Sequence, residues 1–171
     1  MSPVPLLPLK TIWQMSWPNR LLIVESMCWL AMASFLISIL PVKHLRYFAS
    51  LPVRGATPPA ATRLKMIRQT RWAVLTCARR LPWRAVCFQQ GLAAQFMLRQ
   101  RSIPSTMFYG AALENSDTLK AHAWVRADDI DVIGGEIANR YTVVMTFSSE
   151  VAFSSDRDRF PKIDTSRPPP V

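Results

Sequence analysis

The chain has 171 residues, half of them hydrophobic and 19% charged, which is enough apolar content for one domain with a real core and perhaps room for an appendage. Three cysteines (Cys28, Cys77, Cys87) with no C-x-x-C pair, and only two histidines, argue against a structural zinc site or any other metal centre. The odd cysteine count, without a recognisable cleaved signal peptide, points to a reducing cytoplasm rather than a disulfide framework.

The net charge of +10 is unevenly spread: residues 1–110 carry 14 Lys/Arg against Glu25 alone, and residues 111–171 carry 7 against 10 acids. The first part is therefore a basic surface that can attract an acidic peptide, anionic lipid or nucleic acid, or simply remain solvated.

In chain order, the first element is "LLIVESMCWLAMASFLISIL", Leu21 to Leu40. Twenty helical residues span about 30 Å, the thickness of a bilayer's hydrocarbon core. Glu25, Ser26, Ser34 and Ser38 share no narrow stripe, so the helix is apolar nearly all round. A buried helix is the preferred reading. If it instead spans or touches a membrane, the basic flank "VKHLRYF" keeps the following domain on the cytoplasmic side, at the inner face. "VRGATPPA" then reads as a linker, so residues 1–60 are expected to form an apolar helix and linker.

Residues 61–147 are expected to form the main domain. "ATRLKMIRQTRWAVLTCARRL" is an amphipathic helix with Leu64, Ile67, Val74, Leu75, Ala78 and Leu81 on one side. Cys77 fits there as a small apolar core residue. Pro82 stops that helix, and "WRAVCFQQGLAAQFMLRQR" begins another. After Pro104 the period changes. "STMFYGAAL", "AHAWVRA", "IDVIGG" and "RYTVVMTFS" read as short strands separated by polar turns. Helices followed by an antiparallel sheet make an α+β fold. Residues 148–171 are polar, end in "RPPPV", and read as a disordered tail.

Two residues can do nucleophilic chemistry. Cys87 lies in the first turns of its helix with Arg84 a turn upstream, and both features favour the thiolate. His122 lies on a strand and is the obvious general base. Alternatively, Cys87 is a buried structural cysteine and His122 a satisfied strand histidine. His44, among other cations, reads as a surface residue.

The block "ARRLPWRAVCFQQGLAAQFMLRQRSIPSTMFYG", followed by "AHAWVRADDIDVIGG", resembles the transglutaminase-like, microcin-processing cysteine proteases of lasso-peptide gene clusters (the B proteins). The matching positions are Leu81, Pro82, Trp83, Arg84, Cys87, Gln90, Leu92, Ala93, Leu98, Ile103, Pro104 and Ala121 to Val125, within about residues 70–147. The resemblance implies a papain/transglutaminase-like core with Cys87 as nucleophile and His122 as general base. It also suggests the backbone N–H of Cys87 as an oxyanion donor. The implied reaction is removal of the leader from a ribosomally made precursor, after which an asparagine-synthetase-like cyclase closes the macrolactam. Some members of the family carry a three-stranded leader-recognition module. Residues 1–60 show no run of strands, so a separate leader-recognition protein is the expected partner. No cofactor is evident, and any nucleotide dependence is left open.

The chain departs from that pattern at the third catalytic member. The family places an Asp about twelve residues after the His, where this chain has Gly134. If Asp128-Asp129 forms a tight hairpin turn, Asp131 faces Arg126. Glu136 then reaches His122 only through a bulge at Gly134-Gly135. Glu136 is the preferred third member, Asp131 the next, and a Cys–His dyad the remaining option. Two other function classes stay open. One is a catalytically silent, membrane-associated scaffold of the same fold. The other is a nucleic-acid-binding protein built on the basic helix, disfavoured because half its cations share a helix with core residues.

Overall fold

The computed structural model describes residues 15–83, 85–114 and 118–149. Four helices precede a four-stranded antiparallel sheet: α1 (Trp17–Ile39), α2 (Val42–Ala49), α3 (Ala60–Ala78) and α4 (Cys87–Gln100), then β1 (Thr106–Glu114), β2 (Thr118–Ala127), β3 (Ile130–Ile133) and β4 (Thr142–Ser148). A 3-10 helix, Gly135–Arg140, links β3 to β4. The strand order is β3-β2-β1-β4. This is the expected α+β arrangement.

Local chemistry explains most of the boundaries. Pro18 sits in the first turn of α1, where its missing N–H costs nothing. Inside α1, Ser34 and Ser38 donate their hydroxyls to the carbonyls of Leu30 and Ser34, which satisfies them within an apolar helix. Helix α4 ends in a Schellman motif. Ile103 N–H bonds to Leu98 O and Ser102 N–H to Arg99 O, with Ser102 at φ 56°. Buried Ile103 supplies the motif's apolar contact, and Pro104 prevents further helix.

Helix α1 is one wall of a single core rather than a separate unit. Its Leu22, Ile23, Leu30 and Ala33 are buried with Ile67 and Val74 of α3 and with Leu92 and Met97 of α4. Glu25, the acid of the apolar stretch, takes a two-pronged contact from Arg101 at the end of α4, Nη1 to Oε1 at 2.7 Å and Nη2 to Oε2 at 2.6 Å. Trp29 packs at a tilt against Phe96 with ring centroids 4.8 Å apart, and its indole N–H reaches Gln100 Oε1. The opposite side of α1 is also apolar but exposed, through Trp17, Leu21, Val24, Phe35 and Ile39. By length and composition α1 could cross a membrane, and only 22% of its apolar window is buried within the protein, less than the expected buried helix requires.

Helix α4 lies on one face of the sheet. A side chain at Gly91 would press on Met107 of β1 and Val125 of β2, so glycine sets how closely the helix approaches. Phe88 packs edge-on against Tyr109 and Phe147. Gln95 donates to the carbonyl of Phe147 at 2.9 Å. The sheet runs one residue past β4, since Ser149 N–H bonds to Ser105 O and Ser149 is buried. Ser148 and Ser149 are thus ordered parts of the sheet, not of a tail, and the rest of the expected tail, from residue 150, lies outside the described residues.

Candidate active site

Cys87 is the first residue of α4. Gln89 caps the helix, its Oε1 accepting the Val86 N–H at 2.7 Å, and Gln90 Nε2 donates to Ala85 O. These two bonds fix the chain on both sides of the cysteine. As the first helical residue, Cys87 has an N–H with no intrahelical acceptor, and its thiol is free and half-buried. Arg84, the cation expected a turn upstream, lies outside the described residues. The other two thiols sit differently. Cys28 is exposed on α1. Cys77 is buried, its Sγ 3.5 Å from Ile23 O, and burial pushes its thiol pKa up, against smaller opposing effects of Ser26 and Arg80.

His122 sits in β2 opposite Gly110 of β1. Its ring lies between Trp124, with centroids 6.1 Å apart, and Tyr141, at 5.1 Å. Gly110 leaves room for this cluster, because a Cβ there would meet Tyr141 and Trp124. The imidazole Nε2 lies 2.8 Å from the carbonyl oxygen of Gly134. A carbonyl can only accept, so Nε2 carries the proton. In the neutral ring, Nδ1 is then the free base.

Gly134 occupies the position where the resembling family has its aspartate, and here the backbone oxygen of that position holds the histidine. The site is shaped for glycine. Gly134 has φ 73°, and a Cβ on it would lie 2.7 Å from Ala123 O and 3.0 Å from His122 Nε2. The sequence drew attention to side chains at this position and missed its carbonyl; the left-handed φ that turns the carbonyl toward the ring has only the Gly-Gly pair as its sequence signal.

The two proposed carboxylates go elsewhere. Glu136 pairs with Arg71 of α3, and this hydrogen bond chiefly holds its carboxyl below the usual glutamate range, with a smaller contribution from His122. Asp131 faces Arg126 across the hairpin, as expected from the turn at Asp128-Asp129, with Arg126 Nε 3.0 Å from its Oδ1. The register shift lies between Val125 and Arg126, where β3 carries Val132 as its extra residue. It does not lie at Gly134-Gly135, where the chain leaves the sheet for the 3-10 helix. Arg71 stabilises this arrangement by donating Nη1 to the carbonyls of Asp131 and Val132.

The fold lays the cysteine's helix on the histidine's strand but does not bond the two side chains. Among the described residues, no hydrogen bond joins Cys87 Sγ to His122. The β1–β2 pairing is unbroken, and His122 and Val125 are three positions apart, so their Cβ atoms leave the sheet on opposite faces. Val125 meets α4. The imidazole lies toward the end of β2 beyond the reach of β3, bracketed by Tyr141 and Gly134. His44, the remaining histidine, is exposed on α2. Among the described residues, no group of three His, Cys, Asp or Glu side chains could hold a metal ion.

A helix that opens on a cysteine and a strand that carries a histidine are the two elements thiol acyl chemistry draws on, in which an acyl group passes through a thioester, but here the two side chains leave from opposite sides of the sheet. Comparisons with curated proteins and with solved structures find no match. A family model described as the transglutaminase-like superfamily matches residues 28–146, from the middle of α1 into β4. That superfamily includes cysteine peptidases and acyltransferases. With more than half of its length matched, including Cys87, His122 and Gly134, the chain belongs to the transglutaminase-like superfamily.

Proposed function

We propose that the protein is a cysteine peptidase that removes the leader from a ribosomally made lasso-peptide precursor. The observation that carries the chemistry is the bond from His122 Nε2 to Gly134 O, which leaves Nδ1 as a base, together with a cysteine at the first position of α4. The lasso-peptide substrate rests on the sequence resemblance around Cys87 and "AHAWV".

In the proposed reaction the imidazole must first be brought from its own side of the sheet to the start of α4; Nδ1 then takes the Cys87 proton, and sulfur attacks the carbonyl at the end of the leader. The free Cys87 N–H stabilises the oxyanion. The imidazolium then protonates the departing amine, and water cleaves the thioester to regenerate the thiol. The released amine is the group a partner cyclase would join to an Asp or Glu side chain. A separate leader-recognition protein would supply leader affinity, with the enzyme working in the cytoplasm at the inner face of the membrane.

Cys87→Ala tests the chemistry. It deletes one half-buried sulfur and little packing, so circular dichroism should match wild type while precursor cleavage, followed by mass spectrometry, falls to background. Full cleavage by the variant would end the cysteine-peptidase reading.

A second reading, a catalytically silent scaffold of the same fold, draws on the missing Cys87–His122 hydrogen bond and on glycine where the family has an aspartate. Cleavage by the wild-type protein that Cys87→Ala removes would exclude it.

A further inference from the structure

Beside Cys87 lies a cavity of about 260 Å³, smaller than the roughly 300–1,000 Å³ clefts that take whole ligands. It is lined by Val86 and Phe88, the residues on either side of Cys87, together with Leu45, Tyr109, Met145 and Phe147. Gln89 adds a polar group to the lining, but its Oε1 is already engaged by the Val86 N–H. Apart from the Gln89 amide N–H and the Tyr109 hydroxyl the lining is apolar, and a charged group entering it would lose far more hydration than these two donors return.

The cavity adjoins β4, which pairs only with β1 among the described residues and forms an edge of the sheet. Val143, Val144 and Met145 of that edge are exposed. They form a β-branched strand with no charge and no proline, the kind of edge on which an extended peptide can lie.

We infer that this cavity is the specificity subsite for the acyl donor: it takes an apolar side chain of the peptide substrate, from the residue that supplies the attacked carbonyl or its N-terminal neighbour. Occupancy by substrate follows from position, since both flanks of the nucleophile form its wall. An apolar occupant follows from the lining. The inference rests on Cys87 as nucleophile, and it adds a substrate preference that no feature of the Cys–His pair supplies.

The test uses the full-length protein and two series of peptidyl acyloxymethyl ketones, acetyl-Gly-Xaa and acetyl-Xaa-Gly, with Xaa as Asp, Ala, Leu or Phe. Alkylation of Cys87 is timed by mass spectrometry beside an iodoacetamide control. In at least one series, Leu or Phe should react about tenfold or more faster than Asp, the discrimination an apolar pocket commonly gives. Met145→Asp, on a partly exposed strand position, should erase that preference while leaving the iodoacetamide rate of Cys87 unchanged. Ready reaction with iodoacetamide but no preference in either series would overturn the subsite and leave the nucleophile standing. A preference that survives Met145→Asp would also overturn the subsite. A Cys87 inert to every reagent would overturn both.

Discussion

At the residue scale, the histidine is held by a backbone carbonyl rather than a carboxylate. Gly134 combines φ 73° with no space for a Cβ, so Gly134→Ala should destabilise the fold by more than about 1 kcal/mol and cut turnover as the imidazole is displaced. Urea unfolding and a cleavage assay on the same preparation check both effects. Gly134→Asp, which restores the family's residue, should not raise activity, because its Cβ would meet Ala123 O before the carboxylate could reach the ring. Glu136→Gln and Asp131→Asn should each leave turnover near wild type, since these acids serve Arg71 and Arg126.

The Glu136–Arg71 pair should still appear in the pH dependence of stability. Its carboxyl is depressed in the folded state. The contribution is therefore complete above the usual glutamate value and fades as pH falls through the lower folded value. Glu136 is well exposed, so the difference between wild type and Glu136→Gln should stay below about 1 kcal/mol at neutral pH and vanish in acid. A difference that does not shrink as the pH is lowered would contradict this account.

At the scale of elements, Asp131 opposite Arg126 was legible because a two-residue Asp-Asp turn fixes the first rungs of a hairpin. The position of the bulge was not legible. Gly134-Gly135 looked like its natural place, yet the extra residue is Val132, which is fully buried. The carbonyls of Asp131 and Val132 find their donor in Arg71, about sixty residues away on α3, and no local pattern announces such a partner. A helix opening near Cys87 was readable from the proline stop and the apolar period that follows, but its start was expected at Trp83 and lies at Cys87 itself. The contact that anchors α1 was not readable, because Glu25 looked like a polar residue near one end of an apolar run. It is half-buried against Arg101. Arg101→Leu should therefore strand its charge and cost about 1.5–3 kcal/mol in urea unfolding, a loss that Glu25→Gln in the same chain should partly relieve. No loss in Arg101→Leu would show that α1 is not held there.

At the scale of the whole molecule, the helical part is basic with Glu25 as its one acid, and the β2–β4 segment carries Asp128, Asp129, Asp131 and Glu136. Helix α1 adds an exposed apolar face through Leu21, Val24, Phe35 and Ile39. Together these predict co-sedimentation with vesicles containing anionic phospholipid, weakened by salt and by Leu21→Ser with Phe35→Ser. Equal recovery with neutral and anionic vesicles would remove the electrostatic part of that account. The α+β class and the domain's membership of its superfamily were within reach of the sequence, since both depend on order and local motif. Where the imidazole points was not, because it depends on a strand face, a glycine carbonyl and the point at which β3 ends.

The central claim is that Cys87 is a nucleophile served by His122, and the most direct measurement is the rate at which iodoacetamide labels each cysteine at pH 6, resolved by mass spectrometry. Cys77, buried and with its thiol pushed up, should stay unlabelled in the folded protein. Cys87 should react about tenfold or more faster than the exposed Cys28, because the thiolate is the attacking form. His122→Ala should bring Cys87 down to the rate of Cys28 and leave Cys28 unchanged. Equal labelling of Cys87 and Cys28 in the wild type, or a Cys87 rate indifferent to His122→Ala, would contradict the account.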